Sequence, residues 1–325
     1  MCITNYYEGK SWEMAIIKKT NKKEHIHSAA IRKNQTIFLV AMLAIPVINW
    51  LVFWLYVNVN SIFLAFQKAS DGSFSLENFV QFFQSLTRPG NEMNIAVRNT
   101  ALYFLEGMLL NIPSALVISY FLYKRIRGFK FFRIIFYLPC ILPPVVLTTV
   151  FKQVINPDGP LGVLVKNLGF DFPQAGLLGQ ASTATWTILV YTFLVGFGGN
   201  MLIFSGAMSR IPVEVIESAR LDGVDPFHEL TRIILPLIWP TITTAIVLQM
   251  TSLFTASGPI LLLVNGTHET TTVSYWIYNK INGDGFGSGG MYNLVSAAGL
   301  CFTAVAIPVI LSVRKFMSRF EEVEY

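Results

Sequence analysis

Ile211-Pro-Val-Glu-Val-Ile-Glu-Ser-Ala-Arg-Leu-Asp-Gly-Val-Asp-Pro-Phe-His-Glu-Leu-Thr-Arg-Ile-Ile-Leu-Pro236 is a charged island between two long apolar runs. Pro212 suits the first turn of a helix and Gly223 the residue just past its end, so 213–222 reads as a short helix. Asp225 and Pro226 open a second one. On the first helix Pro212, Val215, Ile216 and Ala219 share a face by three-and-four spacing, with Glu214, Glu217 and Ser218 turned elsewhere. Ala219 and Gly223 stand four apart with almost no side chain, so another surface can approach the backbone there, and Glu217 beside them can pair with a basic group on it.

The runs on either side decide the environment. Of 325 residues, 53% are hydrophobic and only 13% charged, against about a quarter charged in soluble domains. The chain therefore belongs in a membrane, and the long apolar runs make its fold class an all-α membrane protein. Cys2, Cys140 and Cys301 lie far apart without metal or redox spacing and read as inert residues at apolar sites. The first residues are too polar for a secretory signal, and no small-residue cleavage site follows a short apolar core, so the N-terminus reads as retained.

Six runs are long enough to cross a hydrocarbon core about 30 Å thick: 37–57, 100–123, 134–151, 183–208, 237–256 and 294–313. Trp50, Trp54 and Tyr56 suit an interfacial belt near the far end of the first. Pro113 lies in the second, and Pro139, Pro143 and Pro144 predict a kinked or interrupted third. Gly196, Gly198 and Gly199 permit close helix approach in the fourth, where Asn200 is a polar group at depth. The fifth carries Gln249, Thr251, Ser252 and Thr255, hydroxyls whose simplest use is bonding to carbonyls inside the bundle. Glu106 is an acid in the second span; it faces either protein or a water-filled path.

Basic residues set the orientation. Lys68, Arg88, Arg98, Lys152, Lys166 and Lys280 fall on one side, and the remainder of the 24 Lys and Arg fall on the other with both termini. The short loops Lys124 to Arg133 and Arg210 to Arg232 agree with the long basic tail, so by the positive-inside rule the charged island faces the cytoplasm. That distribution explains the net charge of +5 without a nucleic-acid partner.

Catalytic motifs fail on inspection. Gly9-Lys10-Ser11 lacks the first glycine of a phosphate loop, where Thr4 stands, and no apolar strand precedes it. Gly285, Gly287 and Gly290 match a dinucleotide fingerprint, but no strand precedes them either. His228-Glu229 begins like a zinc-protease helix, yet Arg232 occupies the second histidine's place. No catalytic, cofactor-binding or metal-ligating residue emerges, and the chain reads as a transport subunit rather than an enzyme.

Glu217-Ser218-Ala219, then Gly223, then Ile233, Leu235 and Pro236 resembles the EAA loop of ABC-importer permeases, with Ser218 a small-for-small change. Asn99-Thr100, the basic turn before Arg133-Ile-Ile-Phe-Tyr-Leu-Pro139, Asn156-Pro-Asp-Gly159 and Gly258-Pro259 extend the similarity to the carbohydrate permeases, which import maltose, glycerol-3-phosphate and oligosaccharides. The resemblance implies a type I importer fold of six transmembrane helices with a cytoplasmic coupling helix. Its parts would be a cytoplasmic tail (1–36), a first helix with an outer loop (37–96), a five-helix core (97–313) containing the coupling loop (209–236), and a second cytoplasmic tail (314–325).

It also implies partners: a second permease, making a heterodimer, an ABC ATPase dimer that uses ATP and Mg, and an extracytoplasmic solute-binding protein. Glu217, Ser218, Ala219, Gly223, Ile233, Leu235 and Pro236 would couple to the ATPase. Asn200, Gln249, Ser252, Phe254 and Thr255 are candidates for a sugar path, with no cofactor on this chain. Three other readings are an importer permease for another small polar solute, an ion-coupled secondary carrier, and a non-transport membrane scaffold or sensor whose inner loop recruits some other partner. The carrier is disfavoured because no internal repeat is evident and Glu106 stands alone.

Overall fold

The computed structural model describes residues 35–252, 258–282 and 289–319. Phe254, Thr255, Gly285 and Gly287 lie outside them. The described residues are helical, apart from turns and one isolated antiparallel bridge, Gln67 to Phe74. The chain divides into two compact units, Met1–Phe63 and Leu64–Tyr325.

In the first unit the described residues, 35–63, belong to α1 (Gln35–Ala65), whose most apolar 18 residues have a mean hydropathy of 2.3. Trp50 and Trp54 stack at 5.2 Å, one turn apart.

The second unit holds α2 (Glu77–Thr87), α3 (Glu92–Tyr123), α4 (Phe129–Ile141), α5 (Pro144–Ile155), α6 (Pro160–Asn167), α7 (Ala181–Met208) and α8 (Val213–Leu221). It continues with α9 (Pro226–Leu237), α10 (Trp239–Ser252), α11 (Gly258–Leu263), α12 (Val273–Asn282) and α13 (Gly289–Ser318). Among the described residues four helices, α1, α3, α7 and α13, are long and apolar enough to cross a membrane alone, and counting each of two bent pairs as one span makes six. The sequence predicts the same six.

The first bend has a local cause. Between α4 and α5, Leu142 and Pro143 each precede a proline, which disfavours helical backbone; their ψ angles of 142° and 136° are extended. α4 and the stretch Pro144–Asn167, which holds α5 and α6, diverge by 110°. The second pair, α9 and α10, breaks at Ile238 and bends by 75°.

α7 is the axis of the second unit and packs against α3, α4 and α10, while α13 packs against α2, α10 and α12. Glycine brings α7 close to α4: a Cβ at Gly198 would lie 2.6 Å from the Phe136 carbonyl oxygen and 2.7 Å from the Cys140 sulfur. On its other side Ser119 donates to the Met201 carbonyl at 3.0 Å, joining α3 to α7.

Four short helices, α2, α6, α11 and α12, occupy stretches that read as loops from sequence. Tertiary contact explains the first: Phe82 of α2 is buried edge-on against Phe302 of α13, ring centres 5.4 Å apart. α3 also starts earlier than expected, where the Asn91 side chain accepts from the Met93 amide at its N-terminus.

Candidate functional site

Two features stand out, a polar cavity inside the helix bundle and a clamped loop at one end of it. Each lies next to a helix that widens just before a proline. Regular helix would drive the ring of Pro113 against the carbonyl of Leu109 and leave that carbonyl without a donor. α3 instead opens into one π turn, Gly107–Asn111, where the Ile112 amide bonds the Gly107 carbonyl. Likewise α9 opens into a π turn, Glu229–Ile234, ahead of Pro236. Single π turns inside α-helices are frequent at functional sites.

The turn in α3 borders a cavity of about 180 Å³ shared with α7 and α10. Asn200, Gln249 and Ser252 all line it, so three of the five expected path residues come together. Sequence reading passes over their neighbours Tyr103, Asn111 and Thr192, although Asn111 stands five residues after Glu106 and two before Pro113. The Asn200 amide donates to Asn111 Oδ1 at 3.2 Å.

Two absent side chains make room for the amides. A Cβ at Gly107 would sit 1.9 Å from Nε2 of Gln249, and one at Gly196 would sit 2.6 Å from Nδ2 of Asn111. Glu106, buried, also lines the cavity and leaves Oε1 without a partner among the described residues. The hydroxyls of Thr251 and Ser252 donate to the carbonyls of Leu248 and Gln249, both at 2.8 Å, which is the simple structural use expected of them. Thr100 also lines the space, with Asn99 beside it in the chain. Asn99 donates to the carbonyls of Glu269 and Thr271 at 2.7 and 3.0 Å, and Thr100 accepts from the Val273 amide.

At the loop, Gly223 has φ +75°, the left-handed conformation glycine adopts most cheaply. Its amide bonds the Arg220 carbonyl, and the Val224 amide bonds the Ala219 carbonyl, both at 3.1 Å. This pair of bonds satisfies carbonyls at the end of α8 and forms a Schellman cap. Asp225 then precedes α9 and hydrogen-bonds the His228 ring. That bond holds the Asp225 carboxyl below its ordinary range.

Ala219 is only 6% exposed and turns inward beside buried Ile216. α8 exposes Val213, Glu214, Glu217, Ser218, Arg220 and Leu221, with Gly223 just beyond. Leu221 is 90% exposed, and Val213 and Phe227 are exposed near it. Ile233, Leu235 and Pro236 are half-buried, the first two against the core cluster that includes Ile216 and Ile234.

The loop is fastened by a pair 105 residues apart in sequence. Lys124, at the end of α3, reaches both carboxylate oxygens of Glu229 at 2.8 and 2.6 Å, and Glu229 is 2% exposed. Nearby, the Tyr120 hydroxyl donates to the Pro226 carbonyl at 3.0 Å. Sequence reading missed this clamp; its only trace is an acid placed seven residues before Pro236 in a loop facing a basic turn.

Known proteins share this architecture. The multiple sugar-binding transport system permease protein MsmF of Streptococcus mutans is 25% identical over 285 residues, covering 86% of this chain and 94% of that one. The sn-glycerol-3-phosphate transport system permease protein UgpA of Escherichia coli O157:H7 is 24% identical over 298 residues, covering 87% and 94%. A crystal structure of a bacterial ABC transporter involved in import of the acidic polysaccharide alginate includes a chain with TM-score 0.75 and 23% identity, covering 89% of this chain and 98% of that one. In a second structure that transporter is in complex with an alginate pentasaccharide-bound periplasmic protein, and its chain matches with TM-score 0.76 and 22% identity over 90% and 98%. The profile of the binding-protein-dependent transport system inner membrane components matches residues 111–322, well over half of the chain, and the chain belongs to that family.

Proposed function

We propose that this chain is the transmembrane subunit of an ATP-driven importer that takes up a carbohydrate delivered by an extracytoplasmic binding protein. The observation that carries the reading is the loop: a short helix ended by Gly223, with apolar and acidic groups facing outward, locked to the end of α3 through Lys124 and Glu229. The sugar and glycerol-phosphate systems of MsmF and UgpA support the solute class, and the alginate transporter solved with its loaded periplasmic protein supports the binding protein.

In this reading the loop and both termini are cytoplasmic. A companion permease completes a heterodimer, and an ABC ATPase dimer holds ATP and Mg; this chain binds neither. Val213, Glu217, Ser218, Leu221, Gly223 and Phe227 form the docking face, and Ala219, Ile233, Leu235 and Pro236 support it from behind.

ATP-driven closure of the ATPases displaces α8. A buried ion pair strongly resists separation, so the displacement passes through Glu229 to Lys124 and along α3 to the cavity. The coupling is a bias on two states of the permease, with nucleotide and loaded binding protein each preferring one of them.

The test is reconstitution of the full assembly. ATP-dependent uptake that resists a protonophore supports the importer, and uptake that collapses with the proton gradient removes it in favour of a secondary carrier. A cysteine at Leu221 should cross-link to the ATPase; failure to do so while uptake is intact would reject the docking face.

A further inference from the structure

The cavity between α3, α7 and α10 contains hydrogen-bonding groups that the described residues leave unused. Tyr103 and Glu106 both line it and are only 8% and 7% exposed. The Tyr103 hydroxyl and Glu106 Oε1 have no hydrogen-bond partner among the described residues. Buried groups of this kind are costly unless something else serves them. Water can do so in the empty state, and a solute can do so in the loaded state.

The chemistry of the wall restricts that solute. Asn111, Thr192, Asn200 and Gln249 contribute amides and a hydroxyl, Glu106 contributes the only carboxyl, and no Lys, Arg or His among the described residues lines the space. An anion brought here meets no compensating cation, and it meets a like charge whenever Glu106 is ionised. A solute rich in O–H or N–H donors meets acceptors on several helices. At roughly 30 Å³ per water, 180 Å³ holds about six waters, a volume suited to one sugar ring rather than a chain of them.

We propose that Tyr103 and Glu106 set the charge specificity of this permease: the cavity receives a neutral or amine-bearing sugar ring and rejects uronates and phosphate esters. The proposal rests on the carbohydrate-importer reading and separates this chain from two proteins similar to it. One of those is named for sn-glycerol 3-phosphate, and the other belongs to a transporter of an acidic polysaccharide.

The experiment uses the complete assembly in proteoliposomes with its binding protein. ATP-driven uptake is measured for labelled maltose, maltotriose, chitosan trimer, trigalacturonate and sn-glycerol 3-phosphate, in wild type, Tyr103→Phe and Glu106→Gln. Wild type should carry the neutral or amine-bearing probes at least tenfold faster than the anionic ones. Glu106→Gln should narrow that ratio severalfold.

Tyr103→Phe should raise KM at least threefold while the Tm of the assembly stays level or rises. Removing an unpaired buried hydroxyl does not weaken packing, so a purely structural tyrosine would leave KM unchanged. This variant keeps the test decisive if Glu106→Gln fails to assemble. Anionic probes carried as fast as neutral ones, or an unchanged KM in Tyr103→Phe, overturns the proposal and leaves the importer reading intact. No ATP-driven uptake of any probe overturns the carbohydrate reading and the proposal with it.

Discussion

Single atoms decide what several glycines do here, and neighbouring positions on one helix should respond in opposite ways. At Gly198 an added methyl would meet the backbone oxygen of Phe136 at 2.6 Å, and backbone cannot step aside. At Gly199 it would meet nothing within 4 Å. Gly198→Ala should therefore destabilise the purified protein by about 1–3 kcal/mol, the usual cost of overpacking. Gly199→Ala should leave the melting temperature level or slightly higher, and equal melting of the two variants would refute the close approach of α4 and α7. Gly107→Ala is a third case, because the obstructing atom is the movable end of Gln249. It should spare stability and weaken solute affinity.

Among the elements, α8 depends on its cap and α9 on its proline. Gly223→Ala should cost about 1–2 kcal/mol, because a Cβ is strained in the left-handed region. Gly223→Asn should cost less, since asparagine tolerates that conformation better. Gly223→Asp adds charge on the docking face, so it should lower ATPase coupling further than the asparagine variant does at comparable stability. Equal coupling in the two would remove Gly223 from the contact. Glu217→Lys, on the exposed face, should weaken ATPase association without changing the fold, and unaltered association in a pull-down would show Glu217 to be merely solvated.

For the whole molecule the decisive link is the clamp between α3 and the loop. Breaking a buried ion pair by removing one member costs about 3–5 kcal/mol, because it strands the other charge. Glu229→Gln leaves Lys124 partly solvated, with its side chain 20% exposed. It should permit assembly, keep ATP hydrolysis and reduce solute uptake more than tenfold. Coupled uptake at wild-type rates would show that the displacement of α8 reaches the bundle by another route.

The six apolar runs, the broken third span and the turn at Gly223 were legible because each is a local property. Hydrocarbon thickness, proline's fixed ring and glycine's missing Cβ act through residues adjacent in the chain. The loop motif likewise occupies one ungapped stretch, and its glycine and prolines stand where their backbone demands place them. Packing across the bundle was not legible, because it joins residues far apart. Lys124 meets Glu229 across 105 positions, and Gly107 accommodates an amide from α10. Ala219 shows the difference at one residue. Its helix position follows from spacing, but whether that face turns to the core or to a partner depends on how α8 is held against the rest of the protein.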